Sequence, residues 1–154
     1  MIDPDVELEI PPKPEYVALV RHVVGAAARM GGLSPDLVDN VKLAVSEAAT
    51  NAVTTTQRAN SDEPVEVRAE LEGDRLVVQV TDRGSHDEAL RSLQTGDTDP
   101  SSLDFSFERG LSLPLIQGLV DEFEIEPREG GGSVVRMTII ESEPVAEPDA
   151  EAST

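Results

Sequence analysis

The chain has 154 residues, 38% of them apolar, with four aromatics (Tyr16, Phe105, Phe107 and Phe123) and no cysteine. This length suits one domain with a sizeable core of Val, Leu, Ile and Ala, and the lack of cysteine excludes disulfides, thiolate metal sites and cysteine nucleophiles. The net charge of −19, from 31 acids and 12 bases, argues against DNA or RNA as direct ligands; it fits a basic protein surface, or a nucleotide carried in with its metal.

In chain order, Val6 to Ile10 alternates apolar and acidic residues, as a half-buried strand does, and Pro11, Pro12 and Pro14 end it. Tyr16, Leu19, Val20, Val23, Ala27 and Met30 then recur at helical spacing up to Gly31-Gly32. Ser34-Pro35-Asp36 marks a second helix start, with a capping hydroxyl, a proline at the first position and an acid at the positive end of the dipole. That helix is expected from about Pro35 to about Thr55, with Leu37, Val38, Val41, Val45, Ala48 and Ala52 on its apolar face.

Arg58 to Pro64 is polar, and Val65–Leu71 and Leu76–Asp82 alternate around Glu72-Gly73-Asp74, the pattern of a hairpin. Ser85 to Glu108 is rich in Ser, Asp, Gly and Thr, and is long for a connection inside a domain. Gly110 to Val120 reads as a short helix; Phe123–Glu126 and Ser133–Ile140 read as two last strands. Residues 1–140 are therefore expected to form one domain, and 141–154, with five acids, two prolines and no base, an acidic disordered tail. The expected fold is an α/β (α+β) two-layer sandwich: a mixed, mainly antiparallel sheet with helices on one face. No stretch approaches the roughly 20 apolar residues of a membrane span, and Met1 to Asp5 lacks the start of a signal peptide, so a cytoplasmic location is expected.

Four polar elements carry candidate chemistry. Glu47 and Asn51 lie four apart, on one face of the second helix, where a carboxylate and an amide oxygen suit a hard cation and a nearby proton transfer. Asp82 ends an apolar strand beside Gly84, so an acceptor stands where backbone comes close to a ligand. Arg109-Gly110-Leu111-Ser112 precedes a helix start, a place where backbone amides meet phosphate. Gly130-Gly131-Gly132-Ser133 has the composition of a hairpin turn.

In their order and spacing these segments resemble a known family. VKLAVSEAATN (Val41–Asn51) resembles the asparagine box of the GHKL (histidine-kinase-like) ATPase superfamily. VTDRG (Val80–Gly84) and ERGLSLPLIQGLVDEFEI (Glu108–Ile125) resemble its two glycine boxes, and GGSVVRMTI (Gly131–Ile139) its terminal strand motif. The branch most similar is the bacterial anti-sigma factor serine/threonine kinases.

The resemblance implies a Bergerat-type ATP-binding fold with ATP and Mg2+. Asn51 would coordinate magnesium, Glu47 would be the general base, and Asp82 would accept a hydrogen bond from the adenine amino group. Gly84 would let the backbone approach the base, and Ser133 would support Asp82 through water. Arg109, Gly110, Leu111 and Ser112 would close over the phosphates, and Ser85 to Glu108 would be a lid. The resemblance also implies a sigma factor and an anti-sigma factor antagonist (a STAS-type protein) as partners, and a homodimer, for which the first strand offers an edge. The sequence departs from the family's pattern at His86 and Ser112, where glycine is usual, and at Thr55, where histidine is frequent. The alternative these departures leave open is a non-catalytic or weakly nucleotide-binding partner-switching module of the same fold.

Overall fold

A computed structural model describes residues 5–83 and 114–141. Five strands form one sheet: β1 (Asp5–Ile10), β2 (Val65–Glu72), β3 (Arg75–Asp82), β4 (Glu122–Pro127) and β5 (Ser133–Ile140), in the order β1-β2-β3-β5-β4. Each neighbouring pair is antiparallel, so the mainly antiparallel character expected from the hairpins extends to all the described strands. The sheet carries α1 (Val17–Met30), entered through a 3₁₀ turn at Pro14–Tyr16, and α2 (Pro35–Arg58). A further short helix, α3, spans 114–119.

Alternation in the strands decides which face is covered. Val65, Val67, Ala69 and Leu71 of β2 and Leu76, Val78 and Val80 of β3 are buried, as are Met137 and Ile139 of β5. They meet Val38, Val41, Val45, Ala49 and Val53 of α2 and Val20 and Val24 of α1 in one core. The other face carries acids on both outer strands: Asp5, Glu7 and Glu9 on β1, and Glu122, Glu124 and Glu126 on β4. Between them lie ion pairs of Arg68 with Glu70 (3.0 Å) and Arg136 with Glu124 (3.1 Å).

Two local devices hold this arrangement. Gly73, with φ +66°, opens the two-residue connection between β2 and β3, where glycine is required because other residues meet steric conflict at that φ. At the start of α2 the Ser34 side chain accepts a hydrogen bond from the Leu37 amide (3.4 Å), and the Ser34 amide donates to Glu141 Oε1 (2.7 Å). The Glu141 amide donates in turn to the Asp74 carbonyl (2.8 Å). The amino end of α2 is thereby fixed to the same end of the sheet as the β2–β3 turn, and α2 runs towards Asp82.

The apolar stripe expected for the first helix needs correction. Tyr16, Leu19 and Met30 are exposed, and the buried face is Val17, Val20, Val24, Ala27 and Ala28. Two overlapping apolar stripes are written into this helix. The face that packs is the one whose small residues permit close approach: a Cβ on Gly25 would lie 2.8 Å from Lys42 Cγ of α2. The second helix continues through Thr55 to Arg58, and the Gly110–Val120 helix is seen only over 114–119, its earlier part lying outside the described residues.

Candidate functional site

The expected site residues fall into three groups. Glu47 and Asn51 stand one turn apart on α2, both half-buried. Asp82 and Ser133 are brought together by the sheet. Gly84, Arg109, Gly110, Leu111 and Ser112, together with His86 and the expected lid, lie outside the described residues.

Pairing of β3 with β5 sets Asp82 directly opposite Ser133, and both are 3% exposed. Ser133 Oγ donates to Asp82 Oδ2 at 2.9 Å. The sequence reading expected water between them; the contact is direct because the two residues are register partners on adjacent strands. A buried carboxylate is costly unless hydrogen-bonded, and here one oxygen is held by a hydroxyl. Orientation follows from this bond, which anchors the carboxylate through Oδ2.

Gly132 makes the close approach possible, and composition alone did not reveal it. Gly130, Gly131 and Gly132 all have positive φ (+90°, +113° and +92°), but they differ in surroundings. A Cβ on Gly130 would meet nothing within 4 Å, whereas one on Gly132 would lie 2.0 Å from the Asp82 carbonyl oxygen and 2.7 Å from Arg83 Cα. Gly132 is thus packed on the backbone of the residue that carries the acceptor. The neighbouring Arg83 side chain forms an ion pair with Glu66 of β2.

On the α2 side, Ala44, Ala48, Ala49 and Ala52 are all buried in the core. Their small size lets α2 pack closely in the core. Arg21 of α1 donates to Ser46 Oγ at 3.5 Å, one residue before Glu47. Ideal lengths along the elements compare how far each residue stands from the end of the domain near Asp74. From the common end near Asp74, α2 at ~1.5 Å per residue reaches Glu47 at about 20 Å and Asn51 at about 26 Å. Strand β3 at ~3.4 Å per residue reaches Asp82 at about 27 Å.

The donor set is one of oxygens. Among the described residues no group of three or more His, Asp or Glu side chains is placed to hold a metal ion. Magnesium suits such a setting, because it keeps several waters and is commonly held by one or two protein oxygens together with phosphate. An amide oxygen at Asn51 beside a carboxylate at Glu47 fits that requirement.

Comparison with known proteins agrees with this architecture. Residues 10–139 match the family described as the histidine kinase-like ATPase domain. The chain is similar to the serine-protein kinase RsbW of Bacillus velezensis, 39% identical over 130 residues that cover 81% of this chain and 79% of that one. Its similarity to RsbW of Staphylococcus epidermidis is 34% over 143 residues, covering 91% and 89%. Among solved structures, the RsbU and RsbW domains of Rv1364c from Mycobacterium tuberculosis superpose with a TM-score of 0.67 at 20% identity, over 92% of this chain and 33% of that one. The SiaB–SiaC complex from Pseudomonas aeruginosa gives 0.64 at 16% identity, over 87% and 88%. At such identities the two structures speak for the fold alone.

Proposed function

The chain belongs to the histidine kinase-like ATPase family, in the branch that holds the RsbW serine-protein kinases, and on that premise we propose that it is an ATP-dependent protein serine kinase that doubles as an anti-sigma factor. The observation that carries the reading is the buried Asp82–Ser133 pair. It supplies an oriented acceptor for an exocyclic amine such as that of adenine.

The proposed division of labour follows the chemistry of each group. Asp82 accepts from the base and Ser133 holds it in position. Asn51 contributes an oxygen to magnesium, which when bound neutralises phosphate charge. Glu47 takes the proton from the serine hydroxyl of the protein substrate. Phosphoryl transfer depends mainly on positioning and charge neutralisation, which is compatible with so acidic a chain. Gly84 and the segment Arg109 to Ser112 are proposed to complete the phosphate end. The protein substrate is an anti-sigma factor antagonist, and the sequestered partner is a sigma factor. A homodimer in the cytoplasm, one domain over residues 1–140 and an acidic tail beyond it complete the proposal. Among the described residues no helix is long and apolar enough to cross a membrane.

Transfer of labelled γ-phosphate from ATP to a serine of the antagonist tests the kinase reading. Absence of transfer, with ATP bound and the antagonist shown to associate, would sink it. That result would favour the partner-switching reading without catalysis, to which the non-glycine residues His86 and Ser112 point.

A further inference from the structure

The face of the sheet turned away from the helices is crowded with acids. Strands β1, β2 and β4 each set three carboxylates on it, against Arg68, Arg75, Arg83 and Arg136. Register adds to the crowding. Glu9 stands opposite Glu66 and Asp5 opposite Glu70, and like charges in opposed positions destabilise a sheet. The hydrogen bond with Glu72 holds the Glu70 carboxyl above its ordinary value, and Asp5 adds to this. The arginines relieve only part of the repulsion: Arg68 pairs with Asp5 and Glu70, Arg83 with Glu66, and Arg136 with Glu124 and Glu126. Among the described residues Glu7, Glu9, Glu72 and Glu122 form no ion pair, and Arg75 is the only arginine of this face without one.

The same face is hollowed. Two adjoining cavities, of about 280 Å³ and about 500 Å³, share Arg68 and Gln79 and together make a trough from Glu9 on β1 to Glu122 on β4. Half-buried Val77 and Gln79 lie along it. Thr138 also lines the smaller cavity; it is 4% exposed, and among the described residues its hydroxyl makes no hydrogen bond. Such a hydroxyl forfeits a hydrogen bond unless a polar group from outside reaches it.

We propose that this trough receives a lysine- and arginine-rich segment of a partner protein, laid across the strands of the open face. Charge and shape both fit such a guest. Long basic side chains lay their methylene stems on Val77 and carry their charged ends to the rim, where Glu7, Glu9, Glu72 and Glu122 stand without ion pairs. An ammonium or guanidinium group also supplies a donor to the Thr138 hydroxyl. A second copy of this chain would set the same acids against one another, and nucleic acid would be repelled, so neither suits the face. The inference is independent of the nucleotide reading, because none of Glu47, Asn51, Asp82 and Ser133 lines the trough.

Fluorescence anisotropy of a labelled, end-capped peptide of alternating lysine and alanine, titrated with the full chain at low salt, tests this; the same peptide with glutamate for lysine is the control. Glu72→Lys/Glu122→Lys reverses two rim charges. Glu15→Lys/Asp39→Lys reverses two exposed acids on the helical side and reaches the same net charge. The wild type is expected to bind the lysine peptide and not the glutamate one. The rim variant should lose at least about tenfold in affinity, and the helical-side variant should stay within about threefold. Amide chemical-shift changes in the wild type should centre on β2, β3 and β5 around Thr138; should the rim variant fold poorly, that map decides alone. No binding of the lysine peptide overturns the proposal, as does an equal loss in both variants, since net charge alone would then attract the peptide. Shift changes confined to α1 and α2 overturn it too. So does a dimer, seen by sedimentation, that the lysine peptide takes apart, because a second copy would then occupy the face.

Discussion

Replacing Gly132 by alanine tests how tightly the Asp82 acceptor is tied to the backbone beneath it. At φ +92° an alanine meets local steric conflict, and its Cβ would lie 2.0 Å from the Asp82 carbonyl oxygen and 2.8 Å from the Asp82 carbonyl carbon. The left-handed conformation alone costs roughly 1–2 kcal/mol. Relief of the contact requires the backbone to move by more than an ångström, because no flexible side chain is there to yield; a backbone shift of this kind adds about 1–3 kcal/mol. The expected total is about 2–5 kcal/mol, against ~5–15 kcal/mol for a typical domain.

Gly130 and Gly131 serve as internal controls. Their φ values are also positive, yet a Cβ would meet nothing within 4 Å at Gly130, and only the Arg83 carbonyl oxygen at 3.8 Å at Gly131. Gly130→Ala and Gly131→Ala should therefore show the conformational cost alone. Urea denaturation of the three variants measures the stability difference, and titration with magnesium-ATP reads the displacement of Asp82. Gly132→Ala should lose at least about tenfold in ATP affinity beyond either control, equivalent to ~1.4 kcal/mol. Equal stability and equal affinity across the three variants would refute the reasoning, since the contact with Asp82 would then carry no weight.

Further predictions address the other members of the site and the open face. Ser133→Ala leaves Asp82 Oδ2 without its hydroxyl donor and should cost about 1–3 kcal/mol of stability, measured by denaturant unfolding. Glu47→Ala should retain ATP binding and lose phosphoryl transfer, whereas Asn51→Ala should lose the magnesium-dependent part of the affinity; equal loss of ATP binding in both would contradict separate roles. On the open face, the hydrogen bond with Glu72 raises the Glu70 carboxyl above its ordinary value, with Asp5 adding to the effect and Arg68 opposing it. A carboxyl raised in the folded state favours folding below its unfolded value, and that contribution is lost as pH rises through the folded value. Glu70→Gln should therefore raise the melting temperature at pH 7, and the gain should vanish as pH falls below about 4.3; a gain that grows on acidification would reverse the assigned sign.

Local chemistry made much of this fold legible. Strand β5 was bounded by composition from Ser133 to Ile140, and Ser34-Pro35-Asp36 marked the start of α2, because capping and alternation act over a few residues. The face of α1 was harder to read. Tyr16, Leu19 and Met30 fit helical spacing as well as Val17, Val20 and Val24, and only packing against α2 and the sheet selects between them. The same limit applied to the site. Glu47 and Asn51 share a face by helical period alone, but the bond from Ser133 to Asp82 depends on β3 and β5 being neighbours across 51 residues of chain. Gly132 gave no separate signal, since three consecutive glycines look alike until one of them is seen to lie on Asp82. Thr55 read as a departure from a family pattern, and its burial is a property of the packed helix.

The bonds at Ser34 and Glu141 fix where α2 begins relative to the sheet. Glu141 thus acts as a pin: it ties the residue after the last strand to the cap of the helix that carries Glu47 and Asn51, while Val41, Val45, Ala49 and Val53 hold the rest of that helix in the core.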